Sequence, residues 1–206
     1  MDPEDLTARA RIRDAALRQF GELGFERATI RSIAEEAGVS SGLLRHHFGS
    51  KEALRDACDE YLARIVTRLD EQARSAPMQA NSVAVATAAF GPYQAYISRA
   101  LTEGRAAPLF DRMVELGMVW LAELDRKRAD PPQVSARARA TVGAAMSLSV
   151  AVLRGHVSRG LGVDVDTPEG ADLLARVILD LYSHPYLTPE EAADHLARLP
   201  ESRNDE

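Results

Sequence analysis

The chain has 206 residues, of which 46% are hydrophobic and 27% are charged, with a formal net charge of −6 and one cysteine. This length suits one large domain or a small domain joined to a larger one, and the single cysteine excludes an internal disulfide framework and fits a reducing cytoplasm. Residues 1–8 lack the basic and apolar parts of a secretory signal, and the uncharged run 140–153 is shorter than the roughly 20 apolar residues of a membrane helix. We expect a soluble, cytoplasmic protein with no membrane partner.

Positive charge is concentrated near the N-terminus. Residues 6–55 carry nine Arg or Lys and six Asp or Glu, whereas residues 56–206 carry sixteen and twenty-two. A basic segment on an acidic body indicates that the N-terminal segment, rather than the whole protein, approaches an anionic polymer.

The first predicted helix covers residues 6–23. Its apolar stripe recurs at helical spacing and consists of Ile12, Ala16, Phe20 and Leu23. Gly21 and Gly24 are expected to loosen the end of this helix, because glycine disfavours helical backbone.

Two short helices and one long helix follow the first. Thr29, Ser40 and Ser50 stand where N-caps stand, Gly38 is expected in the left-handed conformation after the first short helix, and Gly49 ends the second. The predicted helices cover residues 30–37, 41–48 and 51–74. Two short helices joined by a three-residue turn that contains glycine indicate a helix-turn-helix.

Helical spacing continues through the C-terminal three quarters. The predicted helices cover residues 82–104, 108–129, 133–160, 169–184 and 189–199. Pro92 interrupts the first of these and should kink it, and no alternating β pattern is present. The sequence therefore predicts an all-α fold, in which the long fourth helix joins a helix-turn-helix domain, residues 1–52, to a larger bundle, residues 53–206.

The second short helix has one buried and one outward face. Leu44 and Phe48 lie on the same side of the helix and belong to the core, whereas the outward face carries Gly42, Leu43, Arg45 and His46. In the major groove of DNA, such an arginine pairs with guanine and an apolar side chain meets a thymine methyl group. Edge cations and free backbone N–H groups at helix starts suit phosphate oxygens, and these positions are His47, Lys51, Thr29 and Ser40.

Three other interpretations of this segment are possible. The face could be an ordinary solvated surface with two incidental histidines. A metal site is disfavoured because His46 and His47 diverge and no Cys, Asp or Glu stands three or four residues away. Nucleophilic catalysis is disfavoured because the serines occupy capping positions.

The run ARIRDAALRQFGELGFERATIRSIAEEAGVSSGLLRHHFGSKEALRDACDEYL, residues 10–62, closely resembles the DNA-binding domain of the tetracycline-repressor (TetR) family. The resemblance covers about a quarter of the chain. It implies a homodimeric, all-helical transcription regulator that binds a partly palindromic double-stranded DNA operator, with no catalytic residue, metal or cofactor.

The resemblance also implies roles for single positions. Backbone phosphates would be contacted at Thr29 and Ser40, the groove face would comprise Ser41, Gly42, Leu43 and Arg45, and His47 and Lys51 would hold phosphates. The chain departs from the family where a tyrosine commonly stands, at Arg45, and where a small polar residue is frequent, at Leu43. No operator sequence can therefore be borrowed from a relative.

The family's last two long helices form a four-helix dimer interface, and the apolar and small residues here agree with that. The candidate interface residues are Val142, Ala145, Ser149, Val152, Leu173, Leu174, Val177, Ile178, Leu181 and Tyr182. An ordinary intramolecular core remains the alternative.

A pocket for a small-molecule effector is expected between the helices of residues 82–156, where the Pro92 kink can open space. The candidate lining residues are Phe90, Tyr93, Tyr96, Phe110, Met113, Met118, Trp120, Met146 and His156. Their number favours an apolar or aromatic effector over a sugar or nucleotide, although each could be a core residue. Cys58 is expected to be a small buried side chain rather than a redox sensor.

These observations predict a ligand-responsive DNA-binding regulator, a homodimeric repressor that a small apolar or aromatic effector releases from its operator. A ligand-independent or activating regulator of the same fold remains open. A helical enzyme is disfavoured because the bundle histidines lack acid-base or metal-binding companions at useful spacing.

Overall fold

The computed structural model describes residues 3–75, 85, 89–184 and 186–199, with side chains from residue 7 onward. Every regular element in these residues is helical, which confirms the predicted all-α fold. The α-helices are α1 (Pro3–Leu23), α2 (Ile30–Glu36), α3 (Ser41–Phe48), α4 (Lys51–Ser75), α5 (Gln94–Thr102), α6 (Ala107–Asp125), α7 (Ala136–Val152), α8 (Arg154–Leu161), α9 (Pro168–Ser183) and α10 (Pro189–Leu196). A 3₁₀ turn, Gly91–Tyr93, precedes α5.

The apolar stripe of α1 is the centre of the N-terminal core. Ile12, Ala16 and Phe20 are buried as predicted and pack with apolar side chains of α2, α3 and α4. Leu23 was expected to extend the stripe, but it is 40% exposed because α1 ends at this residue and the chain turns away at Gly24.

The helix-turn-helix begins and ends at the predicted residues. Thr29 and Ser32 form a reciprocal capping box at α2, and the Ser40 hydroxyl accepts a hydrogen bond from the backbone N–H of Leu43 at 3.1 Å. Gly38 adopts φ +66° and Gly49 adopts φ +77°, a region that favours glycine. The α2–α3 turn and the α3–α4 turn therefore follow from local chemistry.

Gly21 does not loosen α1 as predicted; the helix continues through it. A Cβ atom at this position would lie 2.6 Å from the backbone N of Tyr96 and 3.0 Å from the carbonyl carbon of Ala95. The glycine is therefore the point at which α1 and α5 cross with their backbones almost in contact.

The predicted helix 133–160 is two helices. Leu153 leaves helical geometry with φ −96° and ψ 10°, and α7 and α8 meet there at an angle of 72°. The break brings α8 against the following loop, where Arg154 pairs with Asp166 and the Ser158 hydroxyl accepts a hydrogen bond from the Val165 N–H. Helical spacing continues across the break, so the tertiary partners decide its position.

The predicted helix 82–104 lies partly outside the described residues. Where the structure describes it, the interruption around Pro92 is confirmed as the 3₁₀ turn, and α5 follows. Helix α5 packs on α1 and on α7, α6 packs along α7, and α4 lies against α6. Within the described ranges, no single helix is long and apolar enough to cross a bilayer; by length and composition alone, the bent pair α7 and α8 reaches that limit.

Candidate nucleic-acid interface

Helix α3 separates its side chains as the sequence predicted. Leu44 and Phe48 are buried, whereas Gly42, Arg45 and His46 are exposed. Ser41, Leu43 and His47 are half-buried at the two edges of the exposed face. A ligand that approaches the exposed face of α3 would therefore meet an arginine, an imidazole and accessible backbone. The opposite face of the same helix is anchored in the core.

A hydrogen-bonded network fixes α2 against α1. The Ser32 hydroxyl donates to the Gln19 side-chain carbonyl at 2.7 Å, and the Gln19 amide donates to Glu36 at 2.7 Å. The Arg18 guanidinium reaches the other oxygen of Glu36, also at 2.7 Å. Because Ser32 is also half of the capping box at Thr29, the network sets the direction in which the start of α2 points.

Lys51 holds the loop that precedes α2. Its ammonium group donates to the backbone carbonyls of Phe25 at 2.9 Å and Ala28 at 3.2 Å, and it lies 4.3 Å from the centre of the Phe25 ring. The Arg55 guanidinium lies 4.3 Å from the same ring. Lys51 therefore positions the residues leading to Thr29.

The two adjacent histidines have different environments. His46 is exposed, whereas Nε2 of His47 is buried with no hydrogen-bond partner among the described residues. The His47 ring lies edge-on to His46 and Phe48, with centroid distances of 5.6 and 6.4 Å. The two imidazoles are therefore not equivalent, because that of His46 faces solvent whereas that of His47 has one nitrogen in the interior.

A buried polar pair joins α4 to α5. The Tyr96 hydroxyl donates to Asp59 at 2.6 Å, and Arg99 donates to the Gly21 carbonyl of α1 at 3.0 Å. Burial raises the pKa of the Asp59 carboxyl above its usual range, although the Tyr96 hydrogen bond opposes this effect. Burial and the neighbouring Asp59 also raise the pKa of Tyr96.

This pair is absent from the sequence-based predictions, although the sequence carries one signal of it. Asp59 follows Cys58 and stands three residues before Leu62, within the apolar stripe of α4, where a lone carboxyl requires a partner. The identity of the partner could not be found from the sequence, because Tyr96 lies 37 residues away.

The candidate effector-binding residues fall into separate groups. Phe110, Met113 and Met118 pack against the small core between α6 and α7. Phe90 and Tyr93 pack against the N-terminal core, together with Met113. Met113 belongs to both groups and joins them.

The other four candidates either donate a hydrogen bond to a carboxylate or are exposed to solvent. The Tyr96 hydroxyl is bonded to Asp59, and the Trp120 N–H donates to Asp70 at 2.6 Å, with the Arg74 guanidinium 4.4 Å from its ring. Met146 and His156 are exposed. Tyr96 nevertheless belongs to the N-terminal core against which Phe90, Tyr93 and Met113 pack.

The candidate dimer residues lie on exposed or half-exposed faces of α7 and α9. Val142, Leu181 and Tyr182 are 59%, 47% and 73% exposed. Ala145 and Ser149 are exposed as well, and the half-buried members are Val152, Leu173, Leu174, Val177 and Ile178. The buried residues of helix α9 are Gly170, Ala171 and Ala175, so none of its large apolar side chains is fully buried in the single chain.

An all-helical fold with an N-terminal helix-turn-helix that exposes a cationic helix is typical of DNA-binding regulators. The family of bacterial regulatory proteins called tetR matches residues 12–58. The HTH-type transcriptional regulatory protein RaaS of Mycobacterium tuberculosis is 38% identical over 148 residues, which are 68% of this chain and 68% of RaaS. The chain belongs to the tetR family and is a transcriptional regulator rather than an enzyme.

Two solved structures share the fold. The fatty acid degradation regulator FadR of Bacillus halodurans has a TM-score of 0.64 at 19% identity, covering 87% of this chain and 96% of FadR. FadR of Thermus thermophilus, a transcriptional repressor in complex with lauroyl-CoA, has a TM-score of 0.54 at 20% identity, covering 88% and 97%. At these identities, the likeness concerns the fold alone.

Proposed function

We propose that the protein is a cytoplasmic homodimeric repressor, which a small apolar effector releases from a palindromic operator. The observation that carries the operator-binding role is the outward face of α3, where Arg45 and His46 are exposed while Leu44 and Phe48 anchor the helix in the core. A helix held in this way can enter the major groove without moving relative to its own domain.

Each element of the helix-turn-helix domain, residues 1–52 and hereafter the head, has a distinct role in this proposal. Ser41, Gly42, Leu43, Arg45 and His46 face the base edges, with Arg45 pairing with guanine. Phosphate oxygens bind at the capped starts of α2 and α3, Thr29 and Ser40, and at His47 and Lys51. The hydrogen bonds of Lys51 to the loop before α2 add a positioning role to its phosphate contact.

A second copy of the chain covers α7 and α9. The exposure of Val142 on α7 and of Leu181 and Tyr182 on α9 supports this assignment, because large apolar side chains left in solvent favour association with a partner. Met146 is 57% exposed on the same helix as Val142, four residues further on, and we assign it to this interface rather than to the effector pocket. Operator binding by such a dimer requires the pairing to hold two copies of α3 about 34–36 Å apart, one turn of DNA.

The effector binds between α5, α6 and α7. The five side chains that support this site are Phe90, Tyr93, Phe110, Met113 and Met118. They are apolar or aromatic, as a hydrocarbon chain or an aromatic ring requires. The solved structure of Thermus thermophilus FadR holds lauroyl-CoA, so an acyl-CoA is a suitable first compound with which to test this site.

The head and the effector-binding part divide near residue 52. Residues 1–52 carry the surface that contacts DNA, and residues 53–206 carry the effector and dimer surfaces. The hydrogen bond from Arg99 to the Gly21 carbonyl links the two parts, and within the second part the Asp59–Tyr96 bond ties α5 to α4, so a displacement of α5 reaches both α1 and α4. Effector binding changes operator affinity by favouring one arrangement of the heads.

Operator reading is tested with a DNA duplex that the wild-type protein selects from a random pool. Arg45→Ala should reduce the affinity of the dimer for this duplex by at least about 30-fold, since each of the two protomers loses a base contact of roughly 1–3 kcal/mol, with a smaller effect on unrelated DNA. Lys51→Ala should weaken binding to both duplexes alike and flatten the salt dependence.

Arg18→Ala is the matched control, because Arg18 is also exposed but is paired with Glu36 at 2.7 Å. Failure of the wild-type protein to select any duplex would refute the operator-binding role. Equal losses of specific and non-specific affinity in Arg45→Ala would refute the assignment of Arg45 to base contact.

Effector binding and dimer formation are tested in separate experiments. Lauroyl-CoA should raise the melting temperature by binding the folded state, and Met113→Glu should abolish the increase. Replacement of exposed Leu181 by Glu should convert dimers to monomers in sedimentation, since a buried charge at an apolar interface is unfavourable. A dimer unchanged by Leu181→Glu would exclude this face.

A further inference from the structure

The arginines of α1 differ in their ion pairing. Arg13 pairs with Asp14 at 2.8 Å, and Arg18 pairs with Glu36 at 2.7 Å. Arg9 and Arg11 are both exposed, and neither makes an ion pair or a hydrogen bond within the described part of the chain. Their charges are therefore available to an external anion.

Arg9 lies at the C-terminal end of α3. Its guanidinium carbon is 4.9 Å from the centre of the ring of Phe48, the last residue of that helix. The stacking holds the stem of the side chain on the core while the charge stays exposed, an arrangement that costs little desolvation. The charge is thus placed near the end of α3 by packing rather than by a carboxylate.

Arg11 lies near the other end of α3. One of its terminal nitrogens, Nη1, is 3.8 Å from the point that a Cβ atom would occupy on Gly38, in the turn that leads to Ser40 and α3. Helical spacing separates Arg9 and Arg11 by about 200° around α1, so they lie on different sides of that helix. Together they place one positive charge near each end of α3.

The dimensions of the major groove give these two charges a partner. An α-helix with its side chains is about 10–12 Å across, and the major groove is about 12 Å wide, so α3 fills the groove between the two phosphate backbones. Groups that lie behind and beside the ends of such a helix face phosphates rather than base edges. Neither arginine can read sequence from there.

We propose that Arg9 and Arg11 bind backbone phosphates on the two sides of the groove that α3 occupies, a proposal that rests on the operator-binding role of α3. Helix α1 then contributes to affinity in addition to forming the core. The contacts are independent of sequence, and the two protomers of a dimer together contribute four of them.

Salt dependence is the direct measure of such contacts. Each phosphate contact contributes about 0.9 to the slope of log K against log salt concentration, so one substitution in a dimer should lower the slope by about 1.8. Arg9→Gln and Arg11→Gln should each produce this decrease on the selected duplex, and the decrease should recur on unrelated DNA. The ratio of specific to non-specific affinity should stay at the wild-type value.

Controls separate the phosphate contact from loss of folding and from a general change in charge. Arg18→Gln removes the same charge from α1 at a paired position and should leave the slope near the wild-type value. Arg9→Lys and Arg11→Lys keep the charge and should retain the slope. Thermal unfolding should show all five variants folded, because the three side chains are exposed.

The outcomes separate this proposal from the proposed function. If the wild-type protein selects a duplex, Arg45→Ala loses specificity, and Arg9→Gln and Arg11→Gln keep the wild-type slope, the phosphate contacts are refuted and the operator-binding role stands. Slopes that fall equally in Arg18→Gln also refute the contacts, because the effect is then one of net charge. If the wild-type protein selects no duplex, both proposals are refuted.

Discussion

Replacement of Gly21 by alanine should destabilise the protein, although alanine is the better helix former. Gly21 is a buried residue of α1, and the added Cβ atom would lie 2.6 Å from the Tyr96 backbone N and 3.0 Å from two atoms of Ala95. Two of these three atoms belong to the backbone of α5. No rotation of a flexible side chain can relieve the overlap, so α1 and α5 must separate.

The magnitude follows from two opposing contributions. Alanine gains about 0.8–1.0 kcal/mol over glycine in a helix interior. Relief of the overlap requires a separation of roughly 0.8 Å to restore ordinary contact, and insertion of an extra methyl group into a packed core costs about 1–3 kcal/mol. With the cost at the upper end, the net loss is about 2 kcal/mol, or roughly 4–8 °C in melting temperature for a chain of this size.

Urea and thermal unfolding, followed by circular dichroism at one fixed protomer concentration, measure this loss. The concentration must be fixed because dimer formation contributes to stability. Gly155→Ala is the matched control, since Gly155 is helical and a Cβ atom there meets nothing within 4 Å; its stability should be equal to that of the wild type or slightly higher. A Gly21→Ala protein as stable as the wild type would refute the close crossing of α1 and α5.

Three further measurements test other groups. Burial raises the pKa of Asp59, so the folded protein holds this proton more tightly than the unfolded chain, and the free energy of unfolding should fall as pH rises from about 4 through the raised pKa. In Asp59→Asn, which can still accept the Tyr96 hydrogen bond, that fall should disappear from urea titrations between pH 4 and 7; an unchanged profile contradicts the assignment. The hydrogen bonds from Arg139 hold the pKa of Asp125 below its usual range, so acid unfolding should lose part of its pH dependence below about pH 4 in Arg139→Gln, and a profile like that of the wild type would exclude this linkage. Cys58 is fully buried and burial raises the pKa of its thiol, so a thiol reagent should label it only in denaturant; rapid labelling of the native protein would contradict this.

The helix-turn-helix could be predicted from the sequence because its signals are local. Thr29 and Ser40 cap the helices that follow them, and Gly38 and Gly49 occupy positive φ. Each of these interactions spans at most a few residues, so the residue types and their spacing are sufficient. The division of α3 into a buried and an exposed face follows from the same helical period.

The break between α7 and α8 could not be predicted in this way. The residues around Leu153 continue the helical pattern, and the chain turns because Arg154 and Ser158 find partners in the loop before α9. The role of Gly21 was misjudged for a related reason. Low helix propensity is a property of the residue, whereas its contact with Tyr96 depends on how α5 crosses α1.

The caps of α2 and α3 and the cationic outward face of α3 could be predicted from local sequence, because capping and amphipathicity depend on neighbours within one or two turns. Which of the charged side chains are neutralised by a partner depends instead on the tertiary structure. It paired Arg18 with Glu36, directed Lys51 to two backbone carbonyls, and left Arg9 and Arg11 exposed near the ends of α3. The paired groups lie 18 to 26 residues apart along the chain, so their meeting depends on how the helices pack. The exposure of Arg9 and Arg11 depends on the same packing.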